Sequence, residues 1–212
     1  MYIPRPFELS EAGKLAAVIQ ENSFATIVTH DTGGLFASHV PVLFFPERGL
    51  HGVIAAHVAR ANPQWHHFRP DQEILVIFQG PHGYISPNWC KTKLVVPTWN
   101  YVAVHAYGIP RLLENEVALE ALLRAMVEKY ESALPNPWPM DLPEDFKTQK
   151  MQAIVGFEIE ITRLEGKFKL SQNRPADDVA TSIEVLKRSA NPTDRELAKL
   201  MAREQLTLQL QD

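Results

Sequence analysis

From Phe24 to Tyr107 the β-rich segments of this chain follow one another with no long helix between them, and most of the helices come later. Phe24 to Thr29 is rich in β-branched residues, and Asp31-Thr32-Gly33-Gly34 is a turn signal. Leu35 to Phe45 then reads as the second arm of a hairpin, and Gly49 to Val58 as a third strand after the turn Pro46-Glu47-Arg48-Gly49. Parallel strands need a crossover of a dozen or more residues, usually a helix, and no regular strand–helix alternation runs along this chain. The pattern therefore predicts an antiparallel sheet. Later segments agree. Ile74 to Phe78 reads as a buried strand broken by Gln79-Gly80-Pro81-His82-Gly83, and Tyr84 to Ser86 as a possible resumption. Leu94 to Tyr107 is β-rich and interrupted by Pro97. Ile154 to Ile161 alternates Val155, Phe157, Ile159 and Ile161 against Ile154, Gly156, Glu158 and Glu160, the period of a half-buried strand.

Helices are expected at the margins. Ser10 is a candidate cap for a helix over Glu11 to Asn22. Asn115 caps the clearest one, Glu116 to Ser132, with Leu119, Leu122, Leu123, Met126 and Tyr130 on one face. Glu144 to Gln152 follows the Pro-rich stretch 135–143. Two more are expected over about Asp177 to Arg188 and Asp194 to Gln205, the second with Thr193 and Glu196 as a capping box. The fold class expected is mainly β with helices (α+β), an antiparallel barrel with peripheral and C-terminal helices. Residues 1–174 would form the barrel domain, and residues 175–212 a helical extension packed on it.

Bulk properties narrow the functions available. The 212 residues are 45% hydrophobic and 22% charged, enough for a sizeable core. A single cysteine, Cys90, excludes an internal disulfide framework and a cysteine-cluster metal site. The formal net charge is −4 and the pI about 6.1, so the general electrostatic signature of nucleic-acid binding is missing. From Gly166 onward, 8 basic residues stand against 7 acidic ones. The N-terminal MYIPRPFELS lacks a secretory pattern, and no apolar run could span a bilayer. A cytoplasmic protein with no membrane partner is expected.

Four segments are polar, aromatic and turn-rich together. His57-Val58-Ala59-Arg60-Ala61-Asn62-Pro63 puts an arginine fork and hydrogen-bonding groups at a strand end, suited to phosphate, although a surface turn with Asn62 as a cap is the commoner use. Gly80 to Trp89 gathers Tyr84, Ser86 and Trp89 around Pro87, planes and hydroxyls that suit a flat heteroaromatic ring or simply close a small core. In Pro97-Thr98-Trp99-Asn100-Tyr101, Thr98 and Asn100 share one face and Trp99 and Tyr101 the other. In Gly166 to Arg174, Lys167 and Lys169 share a side, continued by Ser171 and Asn173. This is an anion-binding strip or a solvated basic strand. No phosphate-binding glycine loop, dinucleotide fingerprint, zincin or serine-hydrolase motif occurs, and adjacent His66 and His67 make a poor metal pair. No metal site is expected.

Taken together, these motifs resemble the PaiB-type family of FMN-binding negative transcriptional regulators. The resemblance is carried by Met1-Tyr2-Ile3-Pro4 with Phe7, Ala37-Ser38-His39-Val40-Pro41, the His57 to Pro63 segment, Phe78 to Pro87, Val96 to Tyr101 and Gly166 to Arg174. It implies an FMN-binding split β-barrel related to pyridoxamine-phosphate oxidases and flavin reductases, a homodimer, and flavin at the subunit interface. It implies further that Arg60 with Lys169 faces the phosphate, that Ser38 and His39 meet the ring edge, and that Tyr84, Ser86, Trp99 and Asn100 line the ring, with His57 and Asn62 in the same site. The family carries an aromatic residue where this chain has Cys90, which takes one stacking surface away. The resemblance brings DNA as a partner. A flavin-dependent reductase or oxidase acting on a small substrate is the alternative function, and haem binding a third.

Overall fold

The computed structural model describes residues 1–209. In chain order the elements are β1 (Glu8–Leu9), α1 (Ala12–Glu21), β2 (Phe24–Asp31), β3 (Gly34–Pro41), β4 (Leu43–Phe45), β5 (Val53–Ala59), β6 (Ile74–Ile85), β7 (Thr98–Leu112), α2 (Glu116–Glu131), α3 (Glu144–Gln152), β8 (Ile154–Lys169), α4 (Ala176–Lys187) and α5 (Pro192–Gln209). The sheet runs β3-β2-β6-β7-β8-β5-β4, with β1 added beside β8, and the path does not close on itself. The β1–β8, β2–β3, β2–β6, β4–β5 and β5–β8 ladders are all antiparallel, in line with a chain that lacks strand–helix alternation. The chain divides into two compact units, and β6, β7 and β8 contribute residues to both.

One unit comprises residues 19–78 and 105–164. Its β2–β3 hairpin is in register from Phe24↔Pro41 to Asp31↔Gly34. The period of two in β8 works as expected: Val155, Phe157, Ile159 and Ile161 are buried, and the Phe157 ring meets Phe68 edge-on at 4.9 Å. Leu122 and Met126 of α2 pack on Leu43 and Ala55. Gly108 marks a close strand approach, because a Cβ there would sit 2.4 Å from the Glu160 carbonyl oxygen. The Asn115 side chain accepts a 2.7 Å hydrogen bond from the Ala118 amide and so starts α2. Replacing Asn115 with alanine is expected to cost about 1 kcal/mol, read as a lower urea midpoint with an unchanged slope.

The other unit comprises residues 1–18, 79–104 and from 165 onward. Leu9 of β1 pairs with Gly166 of β8. The tail helices α4 and α5 bury Val179, Ile183, Leu186, Leu197, Ala198 and Met201. A Cβ at Gly83 would come within 2.9 Å of Asp194 Oδ1 and 3.0 Å of Leu197 Cδ2, so the bare backbone of β6 lets α5 lie down on it.

The structure corrects several boundaries. Leu35 to Phe45 is two strands, because the Val42 amide leaves the ladder and donates to the Ser23 carbonyl at 2.8 Å. The third strand begins at Val53, since Gly49 and Gly52 both hold positive φ in a longer turn. No break occurs at Gln79 to Gly83. The β2 ladder with β6 covers only Leu75 to Ile77, so Pro81 is not asked for an N–H on that side. The stretch 94–97 precedes β7 as a loop. Asn191, not Thr193, caps α5: its side chain accepts from the Thr193 amide at 3.1 Å, and Pro192 occupies the first helical position.

Candidate functional site

The ten residues singled out from the sequence fall into two groups, one in each unit. In the unit containing residues 19–78, Ser38 and His39 lie on β3, His57 on β5, and Arg60 and Asn62 in the turn after it. Two of these meet directly: the Asn62 amide donates to Ser38 Oγ at 2.9 Å, while its carbonyl oxygen accepts from the Gln64 amide. His39 stacks on Phe24 with ring centres 6.3 Å apart, and its Nδ1 lies 2.9 Å from Thr26 Oγ1. The Arg60 fork is turned to backbone: Nε donates to the Gln152 carbonyl at 2.6 Å and Nη2 to the Ile154 carbonyl at 2.9 Å. Gln152 is the last residue of α3, where a cation is favoured, and Ile154 is the first of β8. Gln64, not foreseen as important, is almost fully buried and ties the hairpin together by donating to the Ile27 carbonyl at 2.9 Å.

His57 is half-buried, and its Nδ1 is buried without a hydrogen-bond partner. Burial holds its pKa below the ordinary histidine value. The unfolded chain therefore takes up a proton at higher pH than the folded chain does. Stability present above the ordinary histidine pKa is lost as the pH falls through that value toward the lower folded one. Urea midpoints are expected to drop between about pH 7.5 and about pH 5. His57→Gln should flatten that part of the profile.

The second group lies in the unit containing residues 79–104 and 165 onward. Tyr84 and Trp99 stand edge-to-face with ring centres 6.2 Å apart, and both are substantially exposed, at 43% and 54%. Trp89 meets Tyr84 at 6.4 Å, and the His82 ring lies 6.4 Å from Trp99. Lys169 is tied to β7 at Thr98 and Trp99. Its Nζ donates to Thr98 Oγ1 and, at 2.6 Å, to the Trp99 carbonyl. Lys167, on the same side of β8, is buried. Its Nζ donates to the Tyr2 carbonyl at 3.0 Å and lies over the Tyr2 and Tyr101 rings. The parity read from the sequence holds for these two lysines, but it ends there because Ser171 adopts φ +68°. Asn100 is wholly buried, with its side chain hydrogen-bonded to Ser171 Oγ at 2.9 Å. Ser86 Oγ accepts from the Asn88 amide and caps the turn Pro87–Trp89.

Among the described residues, no carboxylate pairs with Lys167 or Lys169. Burial, then the charges of Lys167 and Arg174, hold the Lys169 pKa below the ordinary lysine value. A partly buried cation cluster without a counterion is a site that an anion would stabilise. With exposed ring faces beside it, the donor set suits a phosphate joined to a flat aromatic system. His82, Trp89, Lys167 and Arg174 were legible as polar or aromatic residues of these motifs, but their grouping depends on how β6, β7 and β8 line up. No group of three or more metal-ligating side chains occurs among the described residues.

An antiparallel sheet in this strand order, flanked by helices, is a split-barrel fold. The chain belongs to the PaiB-type FMN-binding family: the family model described as "Putative FMN-binding domain" matches residues 1–163, and its cofactor is FMN. It is 41% identical over 203 residues to the protease synthase and sporulation protein PAI 2 of Bacillus subtilis, covering 95% of this chain and 96% of that one. Among solved structures, the flavocytochrome Anf3 of Azotobacter vinelandii superposes with a TM-score of 0.63 at 15% identity, covering 84% of this chain and 78% of that one. The FAD and heme binding protein of Mycobacterium smegmatis superposes at 0.60 and 12% identity, covering 82% and 78%. At such identities the two structures share the fold alone. No helix among the described residues is long and apolar enough to cross a membrane.

Proposed function

We propose that this chain is a cytoplasmic, FMN-binding regulator in which Lys169, backed by Lys167, holds the flavin phosphate, and Tyr84 and Trp99 face the isoalloxazine ring. One observation carries the reading: two lysines without carboxylate partners stand beside aromatic faces left open to solvent. The Arg60 fork is occupied by two carbonyls, which favours Lys169 as the principal phosphate ligand. Exposed aromatic rings of this size also favour a homodimer in which a second copy covers the flavin. The regulatory part of the reading draws on the resemblance of the sequence motifs to the PaiB-type negative transcriptional regulators. The near balance of charge from Gly166 onward argues that any DNA contact is local or indirect.

A flavin-dependent oxidoreductase is the second reading. It is favoured by His82, a group able to exchange protons, whose ring stands close to Trp99 in the same aromatic cluster. When bound, the flavin supplies the electron chemistry. The experiment is FMN titration followed by gel filtration, then addition of reduced nicotinamide, and separately a gel shift with the promoter of its own operon across salt. Flavin co-eluting at a dimer's volume supports the site and the assembly. A shift without flavin bleaching supports the regulator, and rapid bleaching with recovery in air supports the enzyme. Failure to retain FMN would overturn the site assignment.

A further inference from the structure

The Pro-rich stretch 135–143 has no part in the flavin reading. It lies against the C-terminal part of α2, where the Trp138 amide donates to Glu131 Oε2 at 2.8 Å. An open groove of about 300 Å³ remains between them, lined by Val127, Glu128 and Glu131 of α2 and by Pro137, Trp138 and Met140 of the stretch. That volume is at the lower end for a small-molecule site. Trp138 is 45% exposed, so aromatic surface is left open there. The charge of the lining is one-sided. Arg124 reaches the groove, but its guanidinium donates to Glu120 Oε1 at 2.7 Å and 3.1 Å and is thereby answered. Glu128 has no hydrogen-bond or ion-pair partner for its carboxylate among the described residues. Glu131 gives one oxygen to the Trp138 amide, which carries no net charge. The occupant that this lining favours is therefore a cation. Its chemistry is narrowed by the rest of the wall, since Val127, Pro137 and Met140 offer little to replace the water of a strongly hydrated ion. A methylated ammonium holds its water weakly, and an indole ring attracts its charge.

We infer that this groove binds a small methylated ammonium compound, its charged head against the Trp138 ring and its charge balanced by Glu128 and Glu131. The site uses none of the residues assigned to the flavin, so it stands or falls separately from that assignment. Every lining residue belongs to the unit comprising residues 19–78 and 105–164.

The test uses the full chain with FMN added. Choline is titrated calorimetrically against two controls: ethanolamine, its unmethylated counterpart, and the alcohol in which a tert-butyl group replaces the trimethylammonium. Choline is expected to bind at least about tenfold more tightly than either control. Trp138→Leu, which keeps an apolar wall, should weaken choline binding about tenfold, whereas Trp138→Phe, which keeps an aromatic face, should retain most of it. Glu128→Gln should weaken it several-fold, and flavin absorbance should be unchanged in all three variants. If Trp138→Leu fails to fold, Glu128→Gln decides, because that side chain has no partner to lose. The proposal is overturned if choline does not bind at about 10 mM. It is overturned equally if either control binds as well as choline, if Trp138→Leu folds and binds like the parent, or if Glu128→Gln binds like the parent.

Discussion

Replacing Lys169 with glutamine is expected to weaken FMN binding by about tenfold to a hundredfold, with the fold retained. A hydrogen bond to a charged group contributes about 1.5–3 kcal/mol, and each 1.4 kcal/mol is about tenfold in affinity. The Lys169 ammonium already donates to Thr98 Oγ1 and the Trp99 carbonyl, so it is held in place before any anion arrives. Glutamine keeps much of the side chain's bulk and removes the charge. A second signature follows from the ionisation of Lys169. Burial and neighbouring cations keep its pKa below the ordinary lysine value. The charge that attracts phosphate is complete below the lowered pKa and is lost as the pH rises through it. FMN affinity should therefore decline at a lower pH than an exposed lysine would dictate, and the variant should show less of that decline. Flavin fluorescence titrations across pH measure both. Unchanged affinity in Lys169→Gln would move the phosphate elsewhere.

Phe157→Ala is expected to be the most destabilising single truncation proposed here, at about 3–5 kcal/mol. The ring is wholly buried in the middle of β8, between Val155 and Ile159 on the same face, and meets Phe68 edge-on. No water replaces it, so the loss combines the transfer free energy of the ring with the cavity left behind. Against a total stability of about 5–15 kcal/mol, that loss is a large fraction of the whole. Phe146, on α3 and 45% exposed, makes the control: its truncation should change stability by about 0.5 kcal/mol or less. Urea denaturation followed by circular dichroism separates the two. Similar midpoints for both variants would contradict the burial pattern on which the β8 reading rests.

The antiparallel class, most of the strand segments, the five helices and the family were legible in the chain itself. They rest on local signals: the period of two around Phe157, the Asn115 cap, the turn glycines and a set of short motifs. Periodicity and capping depend on residues a few positions apart, so they survive without knowledge of the fold. Some errors arose where distant chain segments decide, and others, such as the cap of α5, where two local signals compete. Pro81 does not end β6, because its neighbour β2 stops pairing before it. Val42 leaves its strand for a carbonyl at Ser23, and Asn191 takes the cap from Thr193.

The same division runs through the candidate site. From the sequence, Arg60 stood first as the phosphate ligand, with Lys169 in support. Only the tertiary structure spends the Arg60 fork on the end of α3 while leaving Lys169 without a carboxylate. Sequence could name the basic residues Lys167 and Lys169 but not that one is buried over the Tyr2 and Tyr101 rings and the other is tied to Thr98 and the Trp99 carbonyl. It could not bring Glu128 and Trp138 to one groove. The physical reason is common to all of these. A side chain's type states which bonds it can make, but the partners come from other strands and helices, and only packing determines which bonds are filled and which remain open.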